Sequence, residues 1–211
     1  MKIKVCGITR LEQLLQLEKM GVDYAGMIFF KGSKRYMGER LNEVQVAVRN
    51  TEIKKVGVFV NTELELIEQA IKDYGLYAVQ LHGTETDEFC LELMDKVKVI
   101  KVFHIGSEAS ADDLVEPFQA ACHYFLFDTD TTSFGGSGKQ FNWELIKNAA
   151  IGKPFFLSGG IGPGDVEKVK AFRHPYLHAI DVNSQFEAEP GLKDIEKVKQ
   201  FINDLGVKSA M

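Results

Sequence analysis

Two side chains in the sequence could work as a base and an acid, although they lie far apart along the chain. Cys6 ends a short apolar run that starts at Ile3, and Asp128 follows another apolar run at residues 124–127. A thiolate can act as a nucleophile or a general base if neighbouring groups lower its pKa from about 8.5. A carboxyl group in partly apolar surroundings has a raised pKa and can donate a proton near neutral pH. Cys6 and Asp128 could therefore form an acid/base pair.

Both residues also have a purely structural interpretation. A lone cysteine after a buried strand is most often a small core residue. An aspartate at the end of a strand often belongs to a turn or caps a helix. The position of Cys6 and Asp128 at the ends of apolar runs favours the functional interpretation, because such ends are where barrel folds carry their active sites.

Two further residues are candidates for holding a substrate. Arg35 lies in a basic loop over residues 31–36, and His82 follows the fourth apolar run. Most charge clusters are solvated surface, but an arginine at the edge of a site can hold a carboxylate through two parallel hydrogen bonds. Lysine cannot reproduce that geometry. An imidazole in the position of His82 can titrate or can simply hydrogen-bond a loop carbonyl.

Three segments near the end of the chain contain residues suited to loops that bind anions or cover a substrate. Gly159 and Gly160 follow the seventh apolar run, and Ser184 and Gln185 follow the eighth. In barrels of parallel strands these two loops often bind phosphate through backbone N–H groups, and glycine lets the backbone approach the anion. The two segments together predict a phosphate site. The third segment is a flexible connector or a loop that covers the substrate, and its glycines are Gly135, Gly136 and Gly138.

The elements that must position these residues are eight short apolar runs at near-even spacing, which lie at residues 3–6, 24–30, 56–60, 77–81, 97–103, 124–127, 154–157 and 177–180. Between them, apolar residues recur at helical spacing, as at Leu64, Ile67 and Ala70. Parallel strands that are buried on both faces have continuous apolar runs of this kind. The pattern predicts an α/β fold, a single-domain (β/α)8 TIM barrel over residues 1–206, followed by a frayed tail at residues 207–211.

Composition limits the partners that the chain can have. The 211 residues carry a net charge of −5, which argues against a broad nucleic-acid-binding surface. No apolar run approaches the roughly 20 residues that cross a bilayer, and the N-terminus lacks the layout of a signal peptide. The sequence therefore predicts a cytoplasmic protein without a nucleic-acid or membrane partner.

Cysteine and histidine spacing gives no sign of a structural metal or disulfide. The three cysteines, Cys6, Cys90 and Cys122, are odd in number and far apart, with no CxxC pair. No set of His, Asp and Glu residues has the spacing of metal ligands along the chain. The sequence predicts a protein without a bound metal.

Taken together, these segments resemble the phosphoribosylanthranilate isomerase family over nearly the whole chain. The motifs that carry the resemblance are KVCGIT at 4–9, SKRY at 33–36, VFVN at 58–61, VQLHG at 79–83, FDT at 127–129, GGSG at 135–138, LSGG at 157–160, DVNS at 181–184 and PGLKD at 190–194. The opening motif, the glycine loop and the aspartate of the eighth run form a highly specific set.

The resemblance implies a cofactor-free Amadori rearrangement of the small phosphorylated substrate N-(5-phosphoribosyl)anthranilate, in tryptophan biosynthesis, by an aldose-ketose isomerase that is a monomer or homodimer. By similarity, Asp128 protonates the oxygen of the furanose ring and Cys6 takes the proton from C2. Arg35 is similar to the residue that holds the anthranilate end, and Asp181 to one that orients sugar hydroxyls. The resemblance also implies that His82 lines the pocket.

The chain departs from the family pattern at Lys34, Asn142 and Gln185, where proline, aspartate and glycine are usual. Only Gln185 belongs to the expected phosphate site. Two other interpretations are a related phosphate-binding barrel, such as a pentulose-phosphate epimerase, and a non-catalytic barrel that binds a sugar phosphate. The first commonly uses a metal, and the second does not need both Cys6 and Asp128.

Overall fold

Eight parallel strands close into a barrel in chain order in the computed structural model, which describes residues 1–38, 44–106, 110–129 and 140–207. The strands are β1 (Lys2–Val5), β2 (Tyr24–Ile28), β3 (Lys54–Phe59), β4 (Ala78–Leu81), β5 (Lys98–Ile105), β6 (Tyr124–Thr129), β7 (Phe155–Leu157) and β8 (Leu177–Val182). Strand β1 pairs with both β2 and β8, which closes the circle. The predicted (β/α)8 barrel is confirmed.

A helix follows each strand. The helices are α1 (Leu11–Lys19), α2 (Gln45–Arg49), α3 (Leu64–Tyr74), α4 (Asp87–Met94), α5 (Ala111–Val115), α6 (Glu144–Lys147), α7 (Val166–Ala171) and α8 (Ile195–Leu205). Between β8 and α8 the chain forms a short antiparallel hairpin of β9 (Glu187–Glu189) and β10 (Leu192–Lys193). Among the described residues, the helices are all too short or too polar to cross a membrane.

The helices form where the apolar spacing predicted them. In α3 the buried side chains are Ile67, Ala70 and Tyr74, which recur at three- and four-residue intervals on one face. The helix ends at Gly75, whose φ of 60° is the left-handed conformation that glycine adopts without strain. The apolar spacing therefore fixes both the helix and the face that it turns to the barrel.

Two core clusters show which strand residues face inward. The larger cluster includes helix residues such as Leu14, Ile67 and Phe201, so it lies between the strands and the helices. The smaller cluster draws its buried members from the strands alone and therefore fills the barrel interior; its members are Tyr24, Val56, Ala78, Ile100, Val102, Leu126, Phe156 and Ala179. Because alternate residues of a strand point to opposite faces, residues two positions further along also point inward.

The strands extend further than the apolar runs in the second half of the barrel. His104 pairs with Asp128 in the β5–β6 register, and Asp181 pairs with Lys4 between β8 and β1. The apolar runs end just before His104, Asp128 and Asp181, whereas all three residues lie within strands. Polar side chains break the apolar pattern, but their backbone groups continue the ladder of hydrogen bonds. The result is a more rigid backbone under these side chains than a loop would give.

Aromatic residues pack together at the end of the barrel where the strands begin. The hydroxyl of Tyr24 lies 2.8 Å from Nε2 of His178, and its ring centroid lies 5.4 Å from that of Phe156. Tyr77 and Tyr124 pack against the same cluster. This end is filled by side chains, so a ligand has to enter from the opposite end.

Candidate active site

A cavity opens at the carboxyl ends of the strands, and the empty space in it, including the part open to solvent, is about 710 Å³. The residues predicted as site residues that line it are Cys6, His82, Asp128, Gly159, Gly160, Asp181 and Ser184. Arg35 and Gln185 are not among the lining residues. The glycines of the expected lid, Gly135, Gly136 and Gly138, lie outside the described residues. The fold therefore brings together side chains from β1, β4, β6 and β8 and backbone from the loop after β7.

Cys6 extends β1 into the cavity, where two glycines make room for it and its loop. The side chain is 4% exposed. A Cβ atom on Gly26 of β2 would lie only 2.6 Å from Sγ of Cys6. Gly7 has a φ of 77°, and a Cβ there would lie 2.7 Å from Oδ1 of Asn183 and 2.8 Å from Cδ of Arg35. Glycine is therefore required at position 26 by the thiol of Cys6, and at position 7 by the positive φ and by the side chains of Asn183 and Arg35.

Burial raises the pKa of the Cys6 thiol, and the negative charge of Asp181 acts in the same direction. The positive charges of Lys4 and Lys193 oppose this shift but do not cancel it. The sequence argument made a reactive thiolate depend on a lowered pKa, and the structure has the pKa raised instead. The physical reason is that loss of hydration outweighs the attraction of the two lysines.

A buried network connects Cys6 to β8. Nζ of Lys4 donates a 2.8 Å hydrogen bond to Oδ1 of Asp181, and Oγ of Ser158 lies 3.2 Å from Oδ2 of the same carboxylate. Burial lowers the pKa of Lys4, but Asp181 and Cys6 together outweigh it, so the pKa is raised and the ammonium group keeps its proton. The charge on Lys4 thus holds Asp181 in place and also acts on the thiol.

Asp128 carries the features of a proton donor. Burial raises the pKa of its carboxyl group, and the nearby negative charge of Asp181 adds to this effect. A 2.8 Å hydrogen bond from the backbone amide of Thr129 to Oδ1, together with His104 and Lys4, opposes the rise without reversing it. A carboxyl group in this environment keeps its proton to higher pH than one in water.

His82 is held in its neutral form beside Asp128. Burial lowers the pKa of His82 to about 3, and His104, Lys4 and Lys101 act in the same direction. Nδ1 of His82 lies 3.0 Å from Nε2 of Gln80, and Nε2 lies 3.7 Å from Oδ2 of Asp128. With the Gln80 amide donating to Nδ1, the single ring proton sits on Nε2 and faces the carboxylate. His82 is therefore neutral in this structure, and its Nε2 lies too far from Asp128 for a direct hydrogen bond.

Arg35 uses its fork to bind a carboxylate of the protein. Nε of Arg35 lies 2.9 and 3.0 Å from the two oxygens of Glu187, and Nη2 lies 2.6 Å from Oε2. Burial raises the pKa of Glu187, but the hydrogen bonds and charges of Arg35 and Lys193 outweigh it and lower the pKa overall. The bidentate geometry expected for a substrate carboxylate is thus taken up by Glu187. Among the described residues, Nη1 of Arg35 has no hydrogen-bond acceptor.

The expected phosphate site consists of backbone. Gly159 and Gly160 have φ angles of 90° and 65°, and a Cβ on Gly159 would lie 2.5 Å from Oγ1 of Thr129. Ser184 begins a short 3₁₀ helix that ends at Phe186. No described residue accepts a hydrogen bond from the amides of Gly160, Ser184 or Gln185. Gln185 is exposed, so its side chain points to the surface and only its backbone remains available at the site.

The sequence argument missed four residues of this site: Lys4, Ser158, Glu187 and Lys193. The signal for Lys4 was alternation, because a residue two positions before Cys6 in a strand faces the same side. Glu187 had no local signal, since its partner Arg35 lies 152 residues away. Spacing along the chain gave no sign of a metal-ligand set, but the fold brings ligand atoms of His82, His104 and Asp128 within 4.8 Å of one another.

Residues 3–204 match the model of the family described as N-(5'-phosphoribosyl)anthranilate (PRA) isomerase. The chain belongs to this family. A relative from Parabacteroides distasonis, N-(5'-phosphoribosyl)anthranilate isomerase, is 40% identical over 97% of this chain and 93% of its own length. The match over nearly the full length supports the phosphoribosylanthranilate isomerase interpretation against the epimerase alternative.

Solved structures of the phosphoribosylanthranilate isomerase family show the same barrel. The enzyme from Thermus thermophilus has a TM-score of 0.83 and 31% identity, and the match covers 98% of each chain. Another family member, in complex with reduced 1-(o-carboxyphenylamino)-1-deoxyribulose 5-phosphate, has a TM-score of 0.77 and 33% identity over 97% of this chain and 98% of its own. That compound has an aromatic carboxylate at one end and a phosphate at the other.

Proposed function

We propose that this protein isomerises N-(5-phosphoribosyl)anthranilate to 1-(2-carboxyphenylamino)-1-deoxyribulose 5-phosphate, a step of tryptophan biosynthesis, with Asp128 as general acid and Cys6 as general base. Family membership over residues 3–204 supports the reaction. The observation that carries the assignment of roles is that Cys6 of the β1 end and Asp128 of β6 line one cavity. In the closed ring of eight strands, β7 and β8 separate β6 from β1, so the two residues reach the cavity from different sides.

The first step is opening of the sugar ring. Asp128 donates its proton to the furanose ring oxygen while the bond from that oxygen to C1 breaks. The lone pair of the anthranilate nitrogen forms a double bond to C1, which gives a protonated Schiff base. The raised pKa of Asp128 supports this role, because a carboxyl group that is ionised at working pH cannot donate the proton.

The second step is removal of the proton from C2. The thiolate of Cys6 takes this proton, the C2–H electrons form a C1–C2 double bond, and the Schiff-base electrons return to nitrogen. The resulting enolamine loses the proton of its C2 hydroxyl and gains one at C1, which yields the ketone. Lys4 and Lys193 are the cations whose charges favour the thiolate, and a thiolate of raised pKa is a strong base once it forms.

The two anionic ends of the substrate need separate partners. We assign the phosphate to the backbone around Gly159, Gly160, Ser184 and Gln185, where two left-handed glycines and amides that find no acceptor in the described part of the chain allow close approach. We assign the carboxylate to Nη1 of Arg35, whose other edge is fixed by Glu187.

The remaining contacts serve the sugar between these ends. Asp181 accepts hydrogen bonds from the sugar hydroxyls. Lys4 donates to one oxygen of its carboxylate and Ser158 to the other, and each oxygen can accept a further hydrogen bond. His82 lines the cavity as a neutral donor next to Asp128. The small phosphorylated substrate is the proposed partner, and the chain is proposed to act as a monomer or homodimer in the cytoplasm.

The experiment that tests the reaction follows anthranilate fluorescence. Phosphoribosylanthranilate is generated in situ, and its emission should fall when the protein is added. The matched control is the double variant Cys6→Ala/Asp128→Asn at the same concentration, with its fold checked by circular dichroism. Persistence of the emission with the folded natural protein would refute the proposed reaction.

A further inference from the structure

Three consecutive strands place ligand-type side chains in the same part of the barrel. Ala78, Ile100 and Leu126 face the interior of β4, β5 and β6. Two further steps of two residues along β4 and β5 lead to His82 and His104, and one step along β6 leads to Asp128. One ligand atom from each of these three residues lies within 4.8 Å of the other two. The grouping thus follows from strand alternation and is held by the barrel backbone.

His104 transfers no proton and binds no substrate in the reaction proposed for this cavity, and one of its ring nitrogens has no hydrogen-bond partner among the described residues. Nε2 of His104 is buried, and no described residue offers it a hydrogen bond. Its ring centroid lies 5.0 Å from that of His82. A buried polar atom without a partner costs free energy, so such an atom often marks a place where a ligand or ion completes the structure.

The distances suit a shared cation better than direct hydrogen bonds. Nε2 of His82 lies 3.7 Å from Oδ2 of Asp128, which is too long for a hydrogen bond. Two ligands on one tetrahedral Zn²⁺, with bonds of about 2.0–2.1 Å, lie about 3.3 Å apart. The largest separation in the group, at most 4.8 Å, would need to shrink by up to about 1.5 Å, shared between two side chains.

The donor set identifies the kind of ion. Two imidazole nitrogens and one carboxylate oxygen match the three protein ligands of zinc sites whose fourth coordination position is open to water or substrate. Mg²⁺ and Ca²⁺ prefer oxygen ligands throughout. The group therefore favours Zn²⁺, Co²⁺ or Ni²⁺ over the alkaline-earth ions.

We propose that His82, His104 and Asp128 form a reversible binding site for Zn²⁺ and similar dications, and that the bound ion inhibits the enzyme by occupying Asp128. Ion binding does not depend on the proposed function, whereas the inhibition rests on it.

Two features set the requirements for binding. Nε2 of His82 becomes a ligand when the ring proton moves to Nδ1. Nδ1–H then needs an acceptor, and a flip of the Gln80 side-chain amide supplies one, because Oε1 of Gln80 has no partner among the described residues. Lys4 and Lys101 act on His82 as positive charges, although each is paired, with Asp181 and Glu85. We therefore expect weaker binding than at a structural zinc site.

The binding test uses chelator-treated protein without substrate. Addition of Co²⁺ should produce the visible absorption band of a four-coordinate ion, and Zn²⁺ should remove that band. His104→Asn should lose it. The matched control is His123→Asn, because His123 lies at the opposite end of the same strand pair. Nδ1 of His123 accepts a hydrogen bond from the backbone amide of Val99 at 3.2 Å, and the side-chain oxygen of asparagine can accept the same bond. If His104→Asn does not fold, His104→Leu, of similar volume, takes its place.

The inhibition test compares activity in chelator with activity at rising Zn²⁺. The natural protein and His123→Asn should be inhibited, and Mg²⁺ should have no effect. Relative to its own activity in chelator, His104→Asn should need at least about tenfold more Zn²⁺ for half inhibition than the natural protein, since even changes behind the ligands weaken metal sites by about 10–100-fold.

Two outcomes would overturn the site: no Co²⁺ band in the natural protein, or equal zinc sensitivity of the natural protein and His104→Asn. Absence of turnover in chelator, together with a Co²⁺ band that depends on His104, would instead refute the proposed reaction and leave the ion site standing.

Discussion

The ammonium group of Lys4 lies 2.8 Å from Oδ1 of Asp181, and neither side chain is more than 5% exposed. The two residues face each other in register where β1 meets β8 and closes the barrel. One ion pair therefore lies at the closing strand pair of the fold and at the wall of the cavity that contains Cys6. Stability and chemistry should both respond to it.

We expect Lys4→Met to lower the free energy of unfolding by about 3–5 kcal/mol, because it leaves the buried charge of Asp181 unpaired. The double variant Lys4→Met/Asp181→Leu should regain most of this loss but not the activity. Urea unfolding and kcat measured in parallel test both points. Lys147→Met is the control, since it breaks an exposed pair with Glu144 and should cost less than about 1 kcal/mol. Equal losses in the two single variants would contradict the importance of the buried pair.

Cys6→Ala should lower kcat by about 10²–10⁴ or more while a product analogue binds with nearly unchanged affinity, because a base acts only on the transition state. The comparison variant is Cys90→Ala, which removes another buried thiol, on α4. It should cost stability and leave kcat nearly unchanged. If Cys6→Ala, purified free of the natural protein, turns over substrate nearly as fast as the natural protein does, the base is another group.

Asp128→Asn should be as inactive as Cys6→Ala and should also be more stable than the natural protein at neutral pH. The pKa of Asp128 is raised in the folded state, so the ionised carboxylate costs folding free energy at any pH above its unfolded value of about 3.9. The stability gain should shrink as the pH falls through the folded pKa and vanish below the unfolded one. Melting curves from pH 8 to pH 3 measure it, and a gain that is independent of pH would contradict the raised pKa.

Arg35→Lys should raise KM more than it lowers kcat, because a point charge replaces a planar group that Glu187 holds on two of its nitrogens. Glu187→Gln should change KM in the same direction without contacting the substrate. The decisive measurement uses a substrate that carries aniline in place of anthranilate. If the natural protein and Arg35→Lys discriminate equally against it, Arg35 does not bind the carboxylate.

Gln185→Gly should change KM by less than about tenfold, or roughly 1.4 kcal/mol if KM follows binding. The side chain of Gln185 is exposed, and its Cβ and Cγ would each lie 3.4 Å from a Cβ on Gly162. The backbone amide, which remains in the variant, is the group assigned to the phosphate. A much larger change would mean that the side-chain amide binds the phosphate, and steady-state kinetics decide between the two.

The barrel and most of the cavity could be predicted from the sequence. Each apolar run became a strand, and the residues Cys6, His82 and Asp128 at the ends of three runs reached the cavity because parallel strands end at one rim. The roles of these residues stay predictions that the variants above examine.

The long-range ion pairs could not be predicted from the sequence. Arg35 and Glu187 are 152 positions apart, and only the folded barrel brings the hairpin after β8 against the loop after β2. The pKa of Cys6 was equally out of reach, because its direction is the balance of burial against Lys4 and Lys193. The grouping of His104 with His82 and Asp128 needed the strand register as well as the alternation.

The contact between Gly26 and Cys6 constrains how this site can evolve. A methyl group at position 26 would lie 2.6 Å from the sulfur. Any larger residue at position 26 therefore favours a smaller side chain at position 6, and replacing cysteine by alanine or glycine removes the thiol that is proposed to act as the base. Positions 6 and 26 are therefore expected to change together.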